Sequence, residues 1–205
     1  MPPPGAYYEY ISGREEDGCR NLVYLTISSG IGCGGYLRRP PDRRSGRECR
    51  RDWPYLCGHG LRPALRLRGD GGHWEAYASG SGMPQFFRAW YERHGSELLT
   101  GETITAETLS AAARSAARDS DPDITAFFRD LAVINGRGLS TIIAAYAPER
   151  IVVGGPVATE NPDIIFAPAL RYIDSYLPMP EIVLGSADGM APLRGGGGFC
   201  GRGFG

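Results

Sequence analysis

Leu22-Val-Tyr-Leu-Thr-Ile-Ser-Ser-Gly-Ile-Gly-Cys-Gly34 is the stretch whose reading decides the fold. Leu22 to Ile27 is rich in residues that suit a pleated strand, and it stops abruptly at Ser28, Ser29, Gly30, Gly32 and Gly34. Glycines let a chain bend where a Cβ would clash. Backbone N–H groups in such a bend, helped by two hydroxyls, can converge on an anion, and the obvious one is a phosphate. A tight hairpin holding no ligand fits these residues equally well.

Working outward, the next ordered segments lie after residue 72. Trp74 to Gly80 and Pro84 to His94 are expected to be helical, with Phe86, Phe87, Trp90 and Tyr91 as an apolar face. Thr105 to Ala117 is an alanine-rich helix with Thr105 in the N-cap position. Asp123 to Tyr146 carries Phe127, Phe128, Leu131, Ile134, Ile142 and Ile143 at helical spacing, although Asn135-Gly136 argues for a local break. Arg150-Ile-Val-Val-Gly-Gly155 is a short strand running into a second glycine turn. Asn161 is expected to cap a helix with Pro162 at its first position, reaching about Tyr176, and Glu181 to Leu184 is a last strand. Strands and helices in this order imply an α/β layout, with glycine turns at strand ends where such folds bind phosphates.

Before that core, Pro2-Pro3-Pro4 excludes a regular element, Ala6 to Ile11 could end a helix, and Gly13 to Gly18 is a turn. After it, Gly195 to Gly205 is a glycine-rich tail. The opening residues do not resemble a signal peptide, and no apolar run is long enough to span a bilayer, so a cytoplasmic protein with no membrane partner is expected. Five scattered cysteines do not make a disulfide framework.

The formal charge of −1 hides an uneven distribution. Every basic residue is arginine, and residues 36–70 hold ten of them against Asp42, Glu48, Asp52 and Asp70. That block shows neither a helical nor a strand period, so it reads as loop or disorder, and a loop that long is suspect inside a compact domain. With few aromatics beyond Trp53 and Tyr55 among the arginines, nucleic acid is not the expected partner.

Three separate motifs in order carry a resemblance: Asn21-Leu-Val-Tyr-Leu-Thr-Ile-Ser-Ser-Gly-Ile-Gly32, Gly72-His-Trp-Glu-Ala-Tyr-Ala-Ser-Gly80, and Ala145-Tyr-Ala-Pro-Glu-Arg-Ile-Val-Val-Gly-Gly155 with Asn161-Pro-Asp163. Together they resemble the sugar kinases of the ROK family, especially archaeal glucokinase-like members, over residues 9–34 and 71–194. The resemblance implies an RNase H-like lobe of the actin-like ATPase fold. It also implies ATP with Mg²⁺ and a hexose as ligands, and a homodimer of the kind common in the family. Ser29, Gly30, Gly32 and Gly34 would then cradle ATP phosphates, and Gly154 and Gly155 would approach the adenosine. Glu75 would bind sugar hydroxyls through its two acceptor oxygens, with His73 beside it. His73 would also be the one zinc ligand left of the family's set, since Cys49, Cys57 and His59 match no common zinc spacing. The plain alternatives are turns for the glycines and a capped helix for Glu75.

The resemblance also implies parts that are not found. The family's catalytic aspartate, which takes the proton from the sugar hydroxyl, lies in an Asn-Asp-x-Asn motif. Counted back from Glu9, that motif is expected to fall near or before Met1, and no residue here matches it, so no general base is assigned. The family's first lobe and first phosphate loop are expected to precede this chain, and the chain by itself is expected to be inactive. A ROK repressor's sugar-sensing domain is the second reading, and a decayed gene product the third.

The expected organisation is a lobe start at 1–34, an aberrant Arg/Pro-rich insert at 35–71 and the rest of the lobe at 72–205. The insert has a specific explanation. Arginine-only usage points to GC-rich codons, and with Arg as CGN and Leu as CTN a frame displaced by one base permits Val-Ile-Phe-Asp-Gly-His-Leu over Gly35–Pro41. It permits Asn-Ala-Gly-Glu-Ile-Gly-His over Glu48–Pro54 and Cys-Gly-Cys-Gly over Leu65–Arg68. The last two contain the family's Glu-x-Gly-His sugar and metal motif and its Cys-x-Cys-Gly zinc motif. Residues 35–70 are therefore expected to be translated out of frame. Independent nucleotide reads showing the present frame throughout would contradict this.

Overall fold

The computed structural model describes residues 19, 21–37, 72–94, 103–119 and 121–185. The Ala6–Ile11 helix end, the arginine block beyond residue 37 and the glycine tail lie outside the described residues.

Four strands form one sheet in the order β2-β1-β3-β4. β1 (Asn21–Ile27) pairs antiparallel with β2 (Ile31–Leu37) and parallel with β3 (Arg150–Gly154), which pairs parallel with β4 (Glu181–Leu184). Central parallel strands are covered on both faces and so read as continuous apolar runs rather than alternating ones. Leu22 and Val23 are both buried, as are Ile151, Val152 and Val153 in sequence. Val23, Leu25, Ile27, Ile151 and Val153 join the main core with the helices, and Leu22, Val152 and Val183 form a smaller cluster with Cys19.

Among the described residues five α-helices follow along the chain: α1 (Trp74–Ala78), α2 (Met83–His94), α3 (Ala106–Asp119), α4 (Pro122–Tyr146) and α5 (Pro156–Thr159). The expected aromatic face of α2 meets α4 in a cluster centred on Phe127. Its ring lies 5.0 Å from Phe87, 5.3 Å from Phe86 and 5.8 Å from Trp90. These separations are those of edge-on and tilted aromatic contacts. Thr105 caps α3 as its sequence implies: its Oγ1 accepts the Thr108 N–H at 3.1 Å, and Thr108 Oγ1 accepts the Thr105 N–H at 2.9 Å. This is a reciprocal capping box with threonine in the usual Glu position. Asp121 caps α4 by accepting the N–H groups of Asp123 and Ile124 at 3.0 and 3.2 Å. Among the described residues no helix is long and apolar enough to cross a membrane.

Two expectations about helices are corrected. The break at Asn135-Gly136 does not occur, because α4 runs unbroken for 25 residues. Asn135 is buried and fully used: its Oδ1 accepts the Trp74 Nε1–H at 2.7 Å and its Nδ2 donates to the Ile165 carbonyl at 2.9 Å. A Cβ on Gly136 would stand 2.5 Å from Tyr172 Cβ, and one on Gly138 would stand 2.5 Å from the Trp74 ring. The turn-like dipeptide thus serves close packing inside a helix, and tertiary contact overrides local propensity.

The second correction concerns Asn161. Its side chain does not cap the segment that follows; Nδ2 donates back to the Val157 carbonyl of α5 at 3.2 Å, and Oδ1 accepts from Arg114 at 2.6 Å. The segment that follows is a π-helical turn at Pro162–Phe166 and then a 3₁₀ turn at Ala167–Tyr172, ending short of Tyr176. Pro168 supplies no N–H to a ladder at that point, which gives a physical reason for the switch of winding.

Candidate functional site

The parallel register brings the two glycine turns to one end of the sheet. Thr26 is opposite Gly154, so the chain leaves β1 through Ser28 beside the place where it leaves β3 through Gly155. Here the opening stretch proves to be a hairpin, with a turn at Ser28-Ser29-Gly30 closed by the Ser28 N–H donating to the Gly30 carbonyl at 2.8 Å. Gly32 and Gly34, expected in the loop, are instead on β2, opposite Thr26 and Tyr24. Cross-strand pairing claims them because the register runs unbroken from Ile31 to Leu37.

The second turn has internal reasons for its glycines. Gly155 has φ +89°, a region that L side chains rarely adopt, and a Cβ there would stand 2.3 Å from the Ile27 carbonyl oxygen. A Cβ on Gly154 would run into the Tyr24 hydroxyl. Gly155 is therefore required by the sheet itself, whatever ligand approaches it, whereas Gly154 leaves room for the end of the Tyr24 side chain.

A third element completes the site, and it is one to which the sequence reading gave no role. The turn between α1 and α2 docks on the hairpin: the Gly80 N–H donates to the Ser28 carbonyl at 2.7 Å, and the Ser81 N–H to the Ser29 carbonyl at 3.2 Å. Ser79 Oγ accepts the Gly82 N–H at 2.9 Å, and a Cβ on Gly82 would stand 2.3 Å from the Glu75 carbonyl. The signal was present in Ser79-Gly-Ser-Gly82, a small-residue run between two helices. Gly80 also approaches Val157 of α5, a Cβ there lying 3.3 Å from Cγ2. Hairpin, α1–α2 turn and β3–α5 turn are thus in mutual contact.

Glu75 is brought into this assembly. It is half-buried on α1, and its Oε2 accepts the Ile31 N–H at 3.1 Å, directly after the hairpin turn. Gly30 is small because of it: a Cβ there would stand 3.0 Å from the same oxygen. The neighbouring Trp74 is pinned by Asn135, so the base of α1 is tied to α4. His73 precedes α1, its carbonyl accepting the Ala76 N–H at 3.0 Å, and its side chain makes no capping bond. Among the described residues no group of three His, Cys, Asp or Glu could hold a metal, so His73 has no companion ligands there. Cys49, Cys57 and His59 lie outside the described residues.

Chemically, the arrangement offers a hydroxyl-bearing turn, a carboxylate against it and a glycine bend alongside, all at the carboxyl ends of parallel strands. That is the end at which open α/β sheets receive ligands.

A sequence profile described as the ROK family matches residues 58–195. The glucokinase of Pyrobaculum calidifontis is 28% identical over 165 residues, covering 77% of this chain and 49% of that protein. The crystal structure of a ROK family glucokinase from Streptomyces griseus in complex with glucose and AMPPNP superposes with a TM-score of 0.61 at 25% identity, covering 93% of this chain and 63% of that one. A ROK family transcriptional regulator, a homolog of the E. coli MLC protein, superposes with a TM-score of 0.64 at 20% identity, covering 91% and 48%. The chain therefore spans about half to three-fifths of the length of these relatives. The mixed sheet with its helices is that of the ROK sugar kinases, an actin-like ATPase fold. The chain belongs to the ROK family.

Proposed function

We propose that this chain is the C-terminal portion of an ATP-dependent hexose kinase of the glucokinase type, carrying one wall of the cleft between nucleotide and sugar. The observation that supports it best is the meeting of the Ser28–Gly30 turn, the Gly154-Gly155 bend and the Glu75 carboxylate at one end of the sheet. The turn with the Ser29 hydroxyl would receive the phosphates, the Gly155 bend the nucleoside, and Glu75 the sugar hydroxyls. Mg²⁺ would arrive with the triphosphate and neutralise its charge during transfer. This chain's own part is positioning: Glu75 orients the sugar, and α1, tied to α4 through Trp74 and Asn135, holds Glu75 in place. A structural zinc does not fit the described residues, since His73 has no partner ligands among them. Residues 35–71 are proposed to be an out-of-frame stretch, although Gly35–Leu37 still pair within β2 and the ROK match begins at residue 58.

The proton acceptor of the reaction has no counterpart among these 205 residues, which contain no Asn-Asp pair. Binding and turnover should therefore separate. In a thermal-shift titration, AMPPNP and glucose should each raise the unfolding temperature, because a ligand that binds only the folded state stabilises it by mass action. A coupled assay on the same preparation should give no glucose-dependent ADP. Turnover would contradict the inactive-portion reading, and absence of any shift would contradict the kinase reading. The regulator superposition makes a sugar-sensing domain the second reading, under which glucose alone should stabilise.

A further inference from the structure

The hairpin turn proposed to receive phosphates already holds an anion of the chain's own. Glu75 Oε2 is 3.1 Å from the Ile31 nitrogen and lies against Gly30. Among the described residues no basic side chain pairs with Glu75. The neighbouring amides do not neutralise it either: the N–H groups of Ser28, Gly80 and Ser81 are spent on the carbonyls of Gly30, Ser28 and Ser29. A triphosphate settling on this turn would meet a carboxylate within a few ångströms, and it would want the N–H that the carboxylate occupies.

Resting on the kinase reading above, we infer that Glu75 is a charge gate on nucleotide binding. Its carboxylate, seated on the Ile31 N–H, takes the anion position of the turn and opposes the triphosphate. Sugar hydroxyls donating to Glu75 draw it off Ile31 and spread its charge, which opens the turn to phosphate. One side chain thereby makes the two ligands favour each other, and linkage requires the effect to be reciprocal.

The test is a calorimetric titration of the 205-residue chain with AMPPNP, alone and with saturating glucose. Glucose should tighten AMPPNP about tenfold, the order expected for relieving repulsion between like charges a few ångströms apart in a partly screened site. Glu75→Gln keeps the shape and an acceptor for Ile31 but removes the charge. It should bind AMPPNP about tenfold more tightly without glucose, and glucose should add nothing further. Glu75→Asp keeps the charge but frees the Ile31 N–H, and should tighten AMPPNP less than Glu75→Gln does. AMPPNP affinity indifferent to glucose in the native chain, or equal tightening in the Asp and Gln forms, would overturn the gate while leaving the kinase reading standing. So would unchanged or weaker binding by Glu75→Gln. No AMPPNP binding by any form would overturn that reading and the gate with it. The native comparison needs no variant, so it decides even if Glu75→Gln does not fold.

Discussion

Gly155→Ala is expected to lower the folding free energy by about 2–5 kcal/mol, a large part of what a domain of this size possesses. Two independent costs add. At φ +89° an alanine pays about 1–2 kcal/mol in backbone strain. Its Cβ would also stand 2.3 Å from the Ile27 carbonyl oxygen and 2.7 Å from the carbonyl carbon, atoms of the central strand that cannot swing aside. Forcing atoms into a packed core costs about 1–3 kcal/mol more. Gly32→Ala is the matched control, because nothing lies within 4 Å of a Cβ there. Its effect should stay within about 0.5 kcal/mol. Urea denaturation of both variants checks the pair; equal midpoints would show that the β3–α5 bend is not where the structure places it.

Asn135→Ala should cost about 3 kcal/mol, and here the sign separates two accounts. Alanine is the better helix former by roughly 0.6 kcal/mol, so a helix judged on its own would gain from the change. In the structure, however, the substitution leaves the Trp74 indole N–H and the Ile165 carbonyl buried without their partner. Stranding a buried donor or acceptor costs about 1–3 kcal/mol each, which outweighs the propensity gain. The same variant should loosen α1 and, through it, Glu75. Chemical denaturation followed by tryptophan fluorescence gives the sign, and a stabilised variant would rule out the brace.

These two positions also mark how far the sequence could be read. Leu22 to Ile27 and Arg150 to Gly154 were legible as strands because buried parallel strands leave near-continuous apolar runs, and Glu181 to Leu184, a mostly uncovered edge strand, was legible from its Ile-Val-Leu run. Thr105 was legible as a cap because capping is local chemistry. Asn135-Gly136 was misleading because its reason lies across the core, in Trp74, Ile165 and Tyr172. Asn161 misled for the same cause: Arg114 and the Val157 carbonyl claim its side chain. At the site, Glu75 and the glycine turns could be named from motifs, yet their juxtaposition follows only from the parallel pairing of β1 with β3. The contact of Glu75 with Ile31 spans 44 positions in the chain, and nothing local encodes it.

The central claim is that two glycine turns at one end of the sheet serve a single nucleotide. The most direct measurement is an amide NMR titration of the chain with AMPPNP, following Ser29, Gly30 and Gly155 together. The account predicts that all three resonances move along one saturation curve, while those of α4 near Ile142 stay still. Shifts confined to one turn, or separate curves for Gly30 and Gly155, would contradict it.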